Sequence, residues 1–308
     1  MSSSATAADD TSLIEVPAAP ERGFHHGYVL FLPKPVDGGP PQHLLVEPNN
    51  TGRPDDDIAA HHAAAIALAR DSSVGNFVAK RLGIPILVPV FPRPNSIEDT
   101  YTHSLDRDTM LIREGPLARL DQQLIAMAED ARSRLAGLGR PVTGKLLLNG
   151  FSASALFANR FTFLHPELVA AAAYGGLNGF IMVPAAEIDG HALKYPLGLA
   201  DFQEIAGRPF DRDAYRHVPQ LAYMGEKDTN DAVTHDDAYS AEERELIFTL
   251  FGRTMMPDRW NAVQEVYRQQ KLPIEFKTYP GIPHGTNGAI NSEVADFFRR
   301  AIEQPPKT

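Results

Sequence analysis

Apolar residues along the chain fall into short runs that alternate with longer stretches of helical periodicity. Helices are predicted at residues 58–83, with a break near 72–75, and at 117–137, 242–270 and 293–303, with a further one directly after residue 152. Runs bounded by Gly, Pro or Asn predict strands at residues 24–34, 43–47, 85–91, 145–150, 169–174, 219–224 and 273–279. This alternation predicts an α/β fold, with a mostly parallel twisted sheet and helices on both faces.

The same pattern predicts how the chain is organised. Residues 1–23 lack a periodic pattern and are expected to form a disordered tail, whereas residues 24–308 contain no internal repeat or linker and predict a single domain. Residues from about 178 to 217 mix aromatic residues with Pro and Gly and show no clean period. We expect this segment to form a small cap inserted over the functional site.

Composition and charge exclude several classes of protein. The 308 residues are 43% hydrophobic, and no apolar run reaches the roughly 18 residues needed to span a bilayer, so membrane insertion is not expected. A formal net charge of −10 argues against nucleic acid as a partner. The chain has no cysteine, which excludes disulfides, thiolate zinc sites and a cysteine nucleophile. The amino-terminal residues do not resemble a secretion signal, so a cytoplasmic location is expected, although removal of a signal would leave the same sequence. The sequence leaves open whether the protein forms a homo-oligomer.

One stretch carries a recognisable chemical motif. The apolar run that begins at Lys145 stops at Gly150-Phe151-Ser152-Ala153-Ser154, after which a helical period begins. This pattern is typical of a nucleophile elbow, in which Gly-x-Ser-x-Gly forces a strained serine into a tight turn between a strand and a helix. The helix N-terminus there favours a developing negative charge. Ser152 is therefore the candidate nucleophile, and Ser154 stands where Gly is usual.

A serine nucleophile needs a base and an acid, and both candidates follow predicted strands. Gly225-Glu-Lys-Asp228 comes after the strand at 219–224, and His284-Gly285 comes after the strand at 273–279. With these motifs in this order, residues 24–304 resemble an α/β-hydrolase of the serine esterase type. The resemblance implies Ser152 as nucleophile, Asp228 as the orienting acid and His284 as the general base. Asp231 is the alternative acid.

The resemblance also implies an oxyanion hole and a substrate pocket. Ala153 follows the nucleophile and would supply one backbone N–H, while the second donor would come from the loop after the strand at 43–47, from Asn50 or Thr51. The candidate substrate contacts are Phe151, beside the nucleophile, and Tyr101 and His103, in a long loop before the elbow. His103 could instead bond loop backbone.

The expected function is hydrolysis of a small-molecule carboxylic ester through an acyl-enzyme on Ser152, with neither cofactor nor metal. A peptidase or amidase would use the same three residues, and a non-catalytic binding protein on a hydrolase fold is a third interpretation. A metal-dependent hydrolase is disfavoured because no His-Glu-x-x-His or calcium-binding loop is present. The adjacent His61 and His62 point in different directions from a helix, so we expect them on a solvated face.

Overall fold

The computed structural model describes residues 12–36, 38–39, 42–71, 73–97 and 99–304. The strands in these residues are β1 (Ser12–Val16), β2 (Tyr28–Leu32), β3 (Leu44–Val46), β4 (Ile86–Pro89), β5 (Leu146–Phe151), β6 (Val169–Gly175), β7 (Glu187–Ile188), β8 (His191–Ala192), β9 (Gln220–Gly225) and β10 (Ile274–Tyr279). The α-helices are α1 (Ile58–Arg70), α2 (Val74–Leu82), α3 (Arg107–Leu111), α4 (Leu120–Gly137), α5 (Ala153–Leu164), α6 (Phe202–Ala206), α7 (Arg212–Arg216), α8 (Ala241–Phe251), α9 (Trp260–Gln269) and α10 (Gly288–Glu303).

One sheet organises the molecule. Across the described residues its order is β1-β2-β4-β3-β5-β6-β9-β10, and all neighbouring strands from β4 to β10 pair in parallel. The strands β1 and β2 run antiparallel at one edge. Because the parallel strands end on the same side, the loops after β3, β5, β9 and β10 meet at one edge of the sheet. The mostly parallel sheet predicted from the sequence is confirmed.

Helices cover both faces of the sheet, as predicted. On one face, α4, α5 and α9 pack on side chains such as Leu146 and Leu148 of β5. On the other face, α1, α2 and α10 pack on Leu147 of β5 and on residues of the neighbouring strands. Alternate residues of β5 therefore enter different halves of the core, as the two-residue period of a strand requires.

Several predicted boundaries need correction. Residues Ser12–Val16 lie in the expected tail but form β1, whose pairing with β2 supplies the backbone hydrogen bonds that a tail would lack. Residues 1–11 of that tail lie outside the described residues. The last helix begins at Gly288 rather than at residue 293, because the Asn287 side chain caps the free N–H groups of Ala289 and Ile290. The break in the first predicted helix is confirmed between α1 and α2.

In the insertion at 178–217, which was expected to form a cap over the functional site, two aromatic residues pack elsewhere. Its aromatic residues Phe210 and Tyr215 pack on Phe163, with ring centroids 5.4 and 4.4 Å away. Phe163 lies near the C-terminal end of α5, roughly 15 Å along the helix from Ser152. The Tyr267 hydroxyl also donates a hydrogen bond to the carbonyl of Met182 at 2.7 Å. Phe210 and Tyr215 therefore pack on apolar partners away from Ser152.

Candidate active site

The sequence predicts a tight turn between a strand and a helix at Ser152, and the structure has a strained turn there. Ser152 lies between β5 and α5 with φ 64° and ψ −127°, a conformation that costs a residue with a side chain about 1–3 kcal/mol. Its N–H donates to the Gly175 carbonyl at 2.9 Å, which ties the turn to β6. A Cβ atom at Gly150 would overlap the backbone of Ser154, so this position requires glycine. Ser152 as a whole residue is 8% exposed at the carboxyl edge of the sheet.

Ser154 replaces the usual second glycine and bonds the turn itself. Its Oγ accepts a hydrogen bond from the Phe151 N–H at 3.0 Å and donates one to the Phe151 carbonyl at 2.9 Å. The side chain is buried and turned toward the backbone of the elbow. The hydroxyl therefore stabilises the strand-to-helix connection on which Ser152 is held.

His284 and Asp228 meet across the loops that follow β10 and β9. His284 Nδ1 lies 2.9 Å from Asp228 Oδ2, and the Asp228 side chain is buried. The other carboxylate oxygen, Oδ1, accepts the N–H of Asn230 at 3.0 Å. One carboxylate thus holds the imidazole ring and its own loop. This arrangement can fix the neutral tautomer in which Nδ1 carries the proton.

Asp231, the alternative acid, faces a different partner. Its carboxylate forms an ion pair with Arg259, whose side chain is buried, and also accepts the N–H of Val233 at 3.1 Å. Asp231 therefore caps a short 3-10 helix and neutralises a buried guanidinium. Within the described residues, hydrogen bonding brings Asp228, and not Asp231, to His284.

The second nitrogen of His284 contacts a residue that the sequence did not single out. Asn230 Nδ2 lies 2.9 Å from His284 Nε2. The Phe151 ring packs beside the imidazole, with ring centroids 5.0 Å apart. Among the hydrogen bonds of the described residues, none joins Ser152 Oγ to His284. The sequence did contain a signal for Asn230. Aspartate side chains often accept the backbone N–H of the residue two positions later, and Asn230 lies two residues after Asp228.

The oxyanion candidates lie on neighbouring strand ends. Ala153 is the first residue of α5, and the loop with Asn50 and Thr51 follows β3, which pairs directly with β5. The Asn50 side chain accepts the Gly52 N–H at 3.0 Å, and Thr51 Oγ1 donates to the Arg53 carbonyl at 3.0 Å. These bonds shape the loop and leave the choice between the two backbone donors open.

Two of the three expected substrate contacts are buried in the protein. His103 is 1% exposed, and its Nε2 lies 2.8 Å from the Phe91 carbonyl. Burial lowers the pKa of His103 to about 3, so the ring stays neutral at neutral pH. Tyr101 is also buried, and the Arg93 guanidinium lies 3.4 Å from the centre of its ring. Both residues order the long loop from inside the protein, and this burial argues against direct contact with a substrate.

A cavity of about 960 Å³ lies beside the elbow, between α2 and α10. Phe151, the remaining substrate candidate, lines it together with Asn50, Gly285 and Thr286, whereas Ser152 and His284 are chain neighbours of lining residues and do not line it themselves. Glu47 also lines the cavity. This volume is in the range of pockets that hold small organic molecules.

Glu47 is a buried carboxyl group that the sequence analysis did not consider. Ser73 Oγ donates to its Oε2 at 2.9 Å, and Asn149 Nδ2 donates to the same oxygen at 3.2 Å. Burial raises the pKa of Glu47 to about 7, although both hydrogen bonds act in the opposite direction. A Cβ atom at Gly75 would overlap this carboxylate. The sequence signal for this buried carboxyl group was the position of Glu47 directly after the apolar run of β3.

The described residues contain no group of three or more His, Asp or Glu side chains placed to hold a metal ion. His61 is not on a solvated face as expected. It is fully buried, with Nε2 2.8 Å from the Asp55 carbonyl, whereas His62 pairs with Glu15 at the surface. No helix in the described part of the chain is long and apolar enough to cross a membrane.

Comparison with known proteins gives structural matches only. A scan of protein-family models and a search of curated proteins find no match. The solved structure of poly(aspartic acid) hydrolase-1 from Sphingomonas sp. KT-1 is similar with a TM-score of 0.59 and 16% sequence identity, covering 96% of this chain and 98% of that chain. The chain has the α/β-hydrolase fold. The poly(3-hydroxybutyrate) depolymerase LpqC from Bordetella parapertussis is similar with a TM-score of 0.55 and 15% identity. The match covers 98% of this chain and 92% of that chain.

An S-formylglutathione hydrolase from Agrobacterium tumefaciens is similar as well, with a TM-score of 0.51, 12% identity and 98% of each chain covered. At these identities the likeness establishes the α/β-hydrolase fold alone. The fold predicted from the elbow and from the order of the motifs is therefore confirmed, and the chemistry has to be argued from the site.

Proposed function

We propose that this protein is a serine hydrolase that cleaves carboxylic esters through an acyl-enzyme on Ser152. The observation that carries the proposal is the strained φ of Ser152 at an elbow whose edge of the sheet also holds the His284–Asp228 pair, 2.9 Å apart. A serine hydroxyl becomes an effective nucleophile only when a base takes its proton. A buried carboxylate on Nδ1 leaves Nε2 of the imidazole as that base.

In the first half of the reaction, Ser152 Oγ bonds to the ester carbon as its proton passes to His284 Nε2. The C–O bond to the alcohol then breaks, and His284 returns the proton to the leaving alkoxide. In the second half, His284 takes a proton from water, the resulting hydroxide attacks the acyl carbon, and Ser152 leaves with the proton restored. Asp228 stabilises the imidazolium that forms in both halves.

Charge on the carbonyl oxygen requires donors in the tetrahedral intermediates. In this proposal the Ala153 N–H is one donor, and the N–H of Asn50 or Thr51 is the second. Asn50 is favoured because it lines the cavity that Phe151 also lines. That cavity is the proposed pocket for the acyl or alcohol group of a small ester.

An amidase or peptidase activity deserves a parallel test, because the similar structures include a poly(aspartic acid) hydrolase as well as a poly(3-hydroxybutyrate) depolymerase. The test compares kcat/KM for p-nitrophenyl esters of increasing chain length with that for aminoacyl and peptide anilides. We expect an ester to be the best substrate and Ser152→Ala to lower its kcat by orders of magnitude. A higher kcat/KM for an anilide would favour the amidase, and undiminished activity of Ser152→Ala would contradict the acyl-enzyme.

A further inference from the structure

Asn230 occupies the nitrogen of His284 that the proposed reaction needs. Its Nδ2 lies 2.9 Å from Nε2, and its side chain is half-buried at the edge of the site. Asp228 Oδ1 accepts the Asn230 N–H at 3.0 Å, while Oδ2 of the same carboxylate lies 2.9 Å from Nδ1 of the ring. The Asp228 carboxylate therefore positions the imidazole ring directly, and it positions the Asn230 side-chain amide by holding the Asn230 backbone.

In a neutral imidazole, the contact of Asn230 with Nε2 competes with proton transfer from Ser152 Oγ to the same nitrogen. With the proton on Nδ1 and directed at Asp228, Nε2 has one in-plane lone pair and acts as an acceptor. The Asn230 amide donates to that lone pair, which is the one that must accept the proton of Ser152 Oγ. The Phe151 ring packs beside the imidazole, with centroids 5.0 Å apart, and so limits how the ring can turn. The lone pair cannot serve both partners in full at once.

We propose that Asn230 is a positioning residue that holds His284 in the Nδ1–H tautomer and keeps Nε2 away from Ser152 until the site is engaged. This inference rests on the proposed function of Ser152 and His284. Before acylation, the Asn230 amide must leave Nε2, after which the lone pair is free to accept the proton of Ser152 Oγ. The amide hydrogen bond thus stabilises the resting site and slows attack by the serine.

The test measures how fast Ser152 reacts with a fluorophosphonate, in which Oγ bonds to phosphorus, fluoride leaves and His284 takes the proton. Asn230→Ala removes the amide, and Asn230→Leu removes it while keeping most of the side-chain volume. Thr229→Ala is the matched control, because Thr229 is exposed in the same turn. The second-order rate constant is measured by mass spectrometry of the Ser152 adduct, after thermal unfolding has shown that each variant is folded.

We expect both Asn230 variants to label roughly two- to tenfold faster than the wild type, the effect of losing one hydrogen bond in the resting state, with Thr229→Ala unchanged. A merely structural role would slow labelling, because a loosened loop misplaces His284. Equal or slower labelling of both folded variants would overturn the positioning role while leaving the proposed function intact. Absence of labelling in every folded protein, wild type included, would contradict the proposed function and this inference with it.

Discussion

Ser154 Oγ bridges the backbone of Phe151, accepting its N–H at 3.0 Å and donating to its carbonyl at 2.9 Å. Because these groups lie in the turn that holds Ser152, Ser154→Ala removes both bonds and takes from the partly buried Phe151 N–H its side-chain acceptor. We expect the free energy of unfolding to fall by about 1–3 kcal/mol and kcat to fall with it.

Urea unfolding and ester kinetics of the Ser154→Ala variant check this prediction. Ser133→Ala is the control, because the Ser133 hydroxyl is an exposed donor to the Glu129 carbonyl on α4. It should change the stability by about 0.5 kcal/mol or less. A Ser154 variant as stable and active as this control would show that the hydroxyl does not support the elbow.

Asp228 and Asp231 differ in their partners, and substitutions should separate their roles. Asp228→Asn removes the charge beside His284 Nδ1 and favours the wrong tautomer, so we expect kcat to fall by about three to four orders of magnitude. Asp231→Asn leaves the buried Arg259 without its counter-charge, so stability should fall by about 3 kcal/mol with kcat largely retained at a temperature where the variant is folded. Steady-state kinetics beside thermal unfolding measure both effects. If Asp228→Asn lowered kcat only slightly while a folded Asp231→Asn variant was inactive, the assignment of the acid would be reversed.

The elbow and the strand ends were predictable because their signals are local. Gly150 and Ser152 lie in a motif whose spacing reflects backbone crowding. Asp228 follows β9, an apolar run that is buried throughout, and His284 follows β10, an edge strand in which apolar and polar residues alternate. Chain order then placed all of them at one edge of a parallel sheet. Backbone geometry of this kind is encoded over a few neighbouring residues.

Side-chain directions within loops were not predictable in this way. Tyr101 and His103 lie in a polar loop whose sequence has no period, and only the packing of Arg93 and the Phe91 carbonyl turns them inward. The insertion at 178–217 was expected over the site because its aromatic content fits a cap, yet two of its rings, Phe210 and Tyr215, pack on Phe163 of α5. The Asn230 contact depends on loops after two different strands, which no single stretch of sequence contains.

Glu47 should make stability depend on pH. Its pKa is about 7 in the folded protein against 4.5 for an ordinary glutamate, so between these values the unfolded chain has released a proton that the folded protein keeps. The free energy of unfolding therefore falls as the pH rises from about 4.5 to about 7, by about 3 kcal/mol from this group. Asp106, whose pKa burial also raises to about 7, acts in the same direction.

Urea unfolding of the wild type and Glu47→Gln at pH 4.5, 6 and 8 checks this prediction. The variant should lose less stability over this interval than the wild type, because a glutamine has no proton to release and only the contribution of Asp106 and other groups remains. Glu275→Gln, at an exposed position in β10, is the control and should follow the wild type. Equal loss in the wild type and Glu47→Gln would show that the Glu47 carboxyl does not titrate in this range.

Ser152 is the proposed nucleophile, and mapping the site of covalent modification tests this role without relying on a substrate. Folded protein is treated with a fluorophosphonate and digested, and its peptides are analysed by mass spectrometry while residual ester hydrolysis is followed in parallel. We expect one adduct, on Ser152, that forms in proportion to the loss of activity and is absent from Ser152→Ala. An unmodified Ser152 in folded protein that still hydrolyses esters would contradict the account.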